Sequence, residues 1–151
     1  VLLSVRYIYF VHHYMSVLNT ILKLESNSLT SSEVHAVMNE LRTKITSRMN
    51  EHFFGSKVKF ALNKLSPQQK RKFEKEATEV YQRTLDYLSK FYDFENSPFK
   101  HFSSIDIRTN GSISFNQIME TVTACRIDVN QDALFDEIDI LKSTLDKLKL
   151  E

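Results

Sequence analysis

Only two glycines and two prolines occur in the 151 residues of this chain. These are the residues that end helices, supply left-handed turns and interrupt strands, so a chain poor in both must fold as long uninterrupted segments. The punctuation that remains is of helix type. Wherever the apolar pattern pauses, a Ser, Thr or Asn stands at the restart, at the spacing N-terminal caps require. The pattern predicts an all-α fold, an irregular bundle of about five to six helices.

Leu3, Tyr7, Phe10, Tyr14, Leu18 and Ile21 recur at three- and four-residue intervals and predict the buried stripe of a first helix ending near Glu25. After the turn Ser26-Asn27-Ser28, Thr30 is placed to cap a second helix with Glu33 at the box position and Leu29 and Val34 as a hydrophobic staple. Val34, Val37, Leu41, Ile45 and Met49 form its stripe, and Gly55 is expected to end it near Phe54 by taking the left-handed conformation. A short helical stretch with Val58, Ala61 and Leu62 follows. Ser66, Pro67 and Gln69 then open a third long helix with the apolar face Phe73, Ala77, Val80, Tyr81, Leu85, Leu88 and Tyr92, which Pro98 prevents from running on. Ser114 and Gln117 are read as a capping pair with Ile113 stapled to Ile118, and Asn130 as the cap of a last helix. That helix carries the seam Leu134, Ile138, Leu141, Leu145 and Leu148 in steps of four and three. The one competing strand pattern is a short hairpin near 105–115, where Ile105 to Ile107 and Ser112 to Phe115 flank Asn110-Gly111.

The length and the 42% hydrophobic content suit a single helical domain spanning 1–151. A net charge of +1 gives no global pull toward nucleic acid or acidic membranes. Cys125 is the sole cysteine, which excludes an internal disulfide, fits a reducing compartment and reads as a small core hydrophobe. The apolar start is interrupted by Arg6, His12 and His13 well short of the ~20 residues of a membrane span, so no membrane partner is expected. A chain beginning at valine reads as a piece of something longer.

No reaction centre can be assembled from the residues. Asp106, Asn110, Gly111, Ser112, Ile113 and Ser114 fall on positions of a calcium-binding loop, but Arg108 puts a cation where a carboxylate belongs and Gln117 cannot supply the bidentate ligand. Asp128, Asp132, Asp136 and Asp139 recur at helical intervals; the last three lie opposite the leucine seam and read as its solvated face. His12, His13, His35, His52 and His101 show no ligand spacing and default to surface or packing roles. No catalytic residue, metal, cofactor or small-molecule substrate is expected.

One charge feature stands out. Lys57, Lys59, Lys64, Lys70, Arg71 and Lys72, with Lys75, gather around the start of the third long helix, offset only by Glu74, while the last helix is acidic. Such a cluster suits nucleic-acid phosphates or an acidic partner, but lysine-rich helix starts are common on solvated faces, and that is the first reading. No aromatic platform or base-reading motif accompanies it.

Leu22-Lys23-Leu24-Glu25-Ser26-Asn27-Ser28-Leu29-Thr30, Leu41-Arg42-Thr43-Lys44, Phe53-Phe54-Gly55-Ser56-Lys57-Val58, Val80-Tyr81-Gln82-Arg83, Leu85-Asp86-Tyr87-Leu88, Phe91-Tyr92-Asp93-Phe94 and Asp132-Ala133-Leu134-Phe135-Asp136-Glu137 together resemble the helical region of hAT-type DNA transposases and their host-derived relatives. The resemblance covers most of the chain from Val17 onward and is to the helical insertion that interrupts the family's RNase H-like catalytic domain. The chain lacks the family's BED finger and Cys-x-x-His element, so no catalytic residue carries over. What the resemblance implies is a non-catalytic, transposon-derived module acting in the nucleus. It would hold DNA backbone through Lys57, Lys59, Lys64, Lys70, Arg71 and Lys72, or a neighbouring transposase-like subunit. A second reading is an intracellular protein-interaction bundle with no nucleic-acid role, which uses the Leu134, Ile138, Leu141, Leu145, Leu148 seam or the aromatic first helix for self-association or a partner.

Overall fold

The structure, a computed structural model, describes residues 2–102 and 113–148. All regular structure among them is helical, 79% of the described residues, and no strand occurs among them. Seven helices follow in order: α1 (Leu2–Leu24), α2 (Ser31–Asn50), α3 (Ser56–Leu62), α4 (Pro67–Phe91), α5 (Pro98–Phe102), α6 (Phe115–Ala124) and α7 (Gln131–Leu148). Six of them have seven or more residues, so the expected all-α bundle is what forms. The hairpin near 105–115 and the calcium-type loop fall largely outside the described residues, and Phe115 opens α6. No helix among the described residues is long and apolar enough to cross a membrane.

The chain forms two compact units, Val1–Leu29 with Val37–Asp93, and Thr30–Ala36 with Phe94–Glu151. In the first, α1, α2, α3 and α4 surround one core of Val5, Tyr9, Leu41, Ile45, Phe54, Val58, Leu62, Phe73, Ala77 and Tyr81. Its centre is aromatic. The Tyr9 ring meets Phe54, Phe73 and Tyr81 edge-on at 5.5–5.9 Å, while Phe54 and Tyr81 stack at 6.0 Å, the geometries that ring quadrupoles favour. The two phenols reach the polar partners a buried Tyr needs: Tyr9 donates to the Ala77 carbonyl at 3.0 Å and Tyr81 to the Phe53 carbonyl at 2.9 Å. Burial pushes both hydroxyls above the ordinary tyrosine range.

The helix ends follow local chemistry, with two corrections. Ser66 and Gln69 form a complete capping box at the start of α4, with Pro67 in the first turn. Gly55, however, does not end α2. It adopts φ 106°, ψ 149° as the residue before α3, and α2 closes earlier through His52 at φ 48°. The His52 and Phe53 amides donate to the Met49 and Arg48 carbonyls, the paired bonds of a Schellman turn. A glycine was therefore not needed where the helix stops; it was needed three residues on, where the chain passes the ring of His12.

In the second unit, Ile113, Ile118 and Ile138 form a smaller core, flanked by Phe115, Val122, Leu134 and Leu145. Thr121 Oγ1 lies 3.0 Å from the His101 carbonyl, which joins α5 to α6. Asn130 caps α7 as expected, its Oδ1 accepting from the Asp132 and Ala133 amides. Ser114 corrects a second expectation: its backbone is extended as a cap requires, but its side chain makes no capping hydrogen bond. The Ile113 and Ile118 pair, buried together, fixes the start of α6 instead. At the other end α6 closes on Arg126 at φ 55°, whose amide and that of Ile127 donate to Thr123 and Val122, a second Schellman turn without glycine. The free Cys125 sits half-buried at this end of α6.

Candidate functional site

The stripe predicted to bury α1 is the one that faces outward. Leu3, Tyr7, Phe10, Tyr14 and Ile21 are exposed, by as much as 77% at Leu3, and Leu18 is half-buried, whereas Val5, Tyr9 and His13 enter the core. Both sets obey the helix repeat, because α1 is apolar around most of its circumference and period alone cannot choose between two apolar faces. What decides is fit. Tyr9 and His13 can hydrogen-bond inside the first unit, while the Phe10 and Tyr14 rings stack on each other at 6.1 Å on the surface.

Val11, Met15 and Leu22 extend the outward face, each 39% or more exposed. Beside it, Tyr7, Ile8, Val11, His12 and Met15 of α1 and Gly55, Ser56, Lys57 and Val58 line an apolar groove of about 530 Å³. Gly55 makes the close approach possible: a Cβ there would stand 2.9 Å from His12 Cδ2. Burial, then the positive charges of Arg48 and Lys44, hold the His12 imidazole below its ordinary pKa, so on the α1 side the groove wall is neutral near pH 7, while Lys57 brings a positive charge to the opposite wall. Arg6, the only charged side chain in the first 22 residues, is engaged by Glu76 through two hydrogen bonds of 2.9 and 2.7 Å.

The six basic residues singled out from the sequence are all exposed, but they do not share one face. Lys59 and Lys70 line a common groove together with Glu51 and Glu74, and Lys70 lies 3.9 Å from Glu74. Lys70 and Lys72, two residues apart on α4, point to nearly opposite sides of it, with Arg71 between them. Lys57 belongs to the α1–α3 groove, and Lys64 Nζ lies 5.3 Å from the Phe60 ring centroid. Of the α7 seam, Ile138 is buried, Leu134 and Leu145 are half-buried against it, and Leu141 and Leu148 are exposed. The seam is therefore largely spent on the core of its own unit. Asp132, Asp136 and Asp139 are exposed.

Among the described residues, no three His, Cys, Asp or Glu side chains come together as a metal site would require. The buried His13 is held in packing: its ring stacks on Tyr9 at 5.9 Å and meets Tyr81 edge-on at 5.2 Å. The aromatic first helix was named from the sequence as a candidate contact surface, but the groove beside it, and the fact that Val5, Tyr9 and His13 form its buried face, were not. The available signal was Val5, Tyr9 and His13, a second series at intervals of four beside the one chosen. No family model matches the chain, and neither does any curated protein or solved structure.

Proposed function

We propose that this chain is a non-catalytic helical module, akin to the insertion region of hAT-type transposases, that binds another protein surface through the outward face of α1. One observation carries the reading: a 23-residue helix whose inner face is seated in the core offers eight further apolar side chains to solvent. Isolated exposed apolar residues are ordinary, but a contiguous face of this length marks an interaction site. The nuclear setting follows from the same resemblance.

Substitution of this face tests the reading without knowledge of the partner. Phe10→Asn with Tyr14→Asn should change unfolding free energy by no more than ~0.5 kcal/mol and reduce binding of a hydrophobic dye, whereas Phe73→Ala in the core should cost about 3–5 kcal/mol. Unfolding of the Phe10/Tyr14 variant would show that the face is structural and remove the proposal.

A DNA-backbone role is the second reading, favoured by α3, which carries Lys57 and Lys59 and no acid, and by Lys59 and Lys70 lining one groove. Glu51 and Glu74 in that groove weigh against it. Anisotropy titration with a duplex of arbitrary sequence should show affinity falling steeply with salt and lost in Lys59→Gln/Lys70→Gln. Salt-insensitive or undetectable binding would exclude it.

A further inference from the structure

We infer that the occupant of the outward face of α1 is α1 of a second copy of this chain, packed antiparallel about a two-fold axis beside the Phe10–Tyr14 pair. The inference rests on the docking reading above and names the partner.

Three observations point to a second copy. The first is area. The eight exposed apolar side chains of α1, at ~200 Å² for a full side chain, offer on the order of 900 Å², close to the ~800 Å² per partner that a stable complex buries. The second is charge. A two-fold interface sets each residue near its own copy, so like charges on the face would repel. On α1 this face has none: Arg6 is turned to Glu76, and the exposed positions from Leu3 to Leu22 are apolar or neutral, with Lys57 of α3 beside them across the groove. A basic rim suited to lipid headgroups or an acidic partner is absent from α1 itself until Lys23.

The third is spacing. Leu3, Tyr7, Phe10, Tyr14, the half-buried Val17 and Ile21 advance in steps of four and three across the helix, the seam that lets two helices interlock side chains. Antiparallel pairing places Leu3 against Ile21, Tyr7 against Val17 and Phe10 against Tyr14. Large then meets small at Tyr7, and the aromatic pair, already stacked at 6.1 Å, meets its copy at the axis. Parallel pairing would instead crowd Tyr7 on Tyr7 and Tyr14 on Tyr14. The other exposed aromatic pair, Tyr87 and Phe91, with centroids 4.6 Å apart, has no comparable seam and serves as the control.

Sedimentation velocity and light scattering of the chain, from micromolar to the highest soluble concentration, should show a dimer. Phe10→Glu/Tyr14→Glu should weaken it by about 100-fold or more with helical circular dichroism retained, and Tyr87→Glu/Phe91→Glu should leave it unchanged. Should the glutamate pair fail to fold, Leu3→Gln/Tyr7→Gln makes the same test. In a Cys125→Ser background, Leu3→Cys/Ile21→Cys should cross-link two copies and Leu3→Cys alone should not; a link through Leu3→Cys alone would overturn the antiparallel register. A wild-type chain monomeric throughout, or a dimer sensitive only to the Tyr87/Phe91 change, would overturn the inference. The dye-binding and stability comparison of Phe10→Asn/Tyr14→Asn, read on that monomer, then tells whether the docking reading survives. Wild-type monomer that co-sediments with phosphatidylcholine vesicles through Phe10 and Tyr14 would overturn both in favour of a lipid surface.

Discussion

His13 Nε2 lies 3.0 Å from the Thr84 hydroxyl, and that hydroxyl donates its own proton to the Val80 carbonyl at 2.9 Å. Thr84 therefore accepts from His13, so the imidazole carries its proton on Nε2. Burial, reinforced by the positive charge of Arg48 and then by His12, holds the ring below its ordinary pKa and hence neutral. The folded state resists protonation that the unfolded chain accepts near 6.5. Between the lowered folded value and 6.5 the unfolded chain binds more protons, so stability is full above 6.5 and is lost as pH falls through that window, by up to ~1.4 kcal/mol per pH unit. Denaturant titrations from pH 7.5 to 5 should show this slope, measured with ~0.5 kcal/mol precision, and His13→Gln should reduce it, leaving the share of His12, whose pKa is lowered too. An equal slope in the variant would place the proton uptake elsewhere.

Gly55→Ala should destabilise the first unit by about 2 kcal/mol, because φ 106°, ψ 149° is a region essentially confined to glycine. The added methyl also meets the His12 ring. His12→Ala should relieve the clash and leave the backbone strain, so thermal denaturation of the double variant should recover only part of the loss.

The two serines at helix starts should behave differently. Ser66→Ala removes a capping box and should cost about 1 kcal/mol. Ser114→Ala removes no capping bond and should cost less than ~0.5 kcal/mol. Equal losses in urea unfolding would contradict the geometry at Ser114.

His52→Gly and Arg126→Gly should each stabilise by ~0.5 kcal/mol, since both residues hold left-handed conformations that burden an L side chain by about 1 kcal/mol or more, partly offset by the unfolded freedom of glycine. A loss of melting temperature in both would show that their side chains contribute more than the turns require.

A double-mutant cycle between Arg6→Met and Glu76→Gln should give a coupling of only ~0.5–1 kcal/mol despite the two short hydrogen bonds, because both side chains are more than a third exposed and screened by solvent. The coupling should shrink as salt is added.

The helix starts were legible because a cap is local. Ser66 with Gln69, and Asn130 with the amides two and three residues on, need nothing but their own neighbours. The ends of α2 and α6 were less so, since His52 and Arg126 take positive φ without the glycine that would have announced it. Which face of α1 is left open was hidden for a different reason. Leu3, Tyr7, Phe10 and Tyr14 have the same period as Val5, Tyr9 and His13, and sequence cannot say which series meets Phe54, Phe73 and Tyr81. Closeness along the chain sets Lys70 and Lys72 side by side, and the helix turns them apart.

By itself, then, the amino-acid sequence determined that the described chain is helical and where most of its helices begin, because propensity, caps and hydrophobic period act over a few residues. Tertiary structure alone decided which face of α1 is core and which is left open, because that choice depends on whether Tyr9 and His13 find hydrogen-bond partners at Ala77 and Thr84, nearly seventy residues or more away. Burying Phe10 and Tyr14 instead would satisfy the same period and leave those partners unmet.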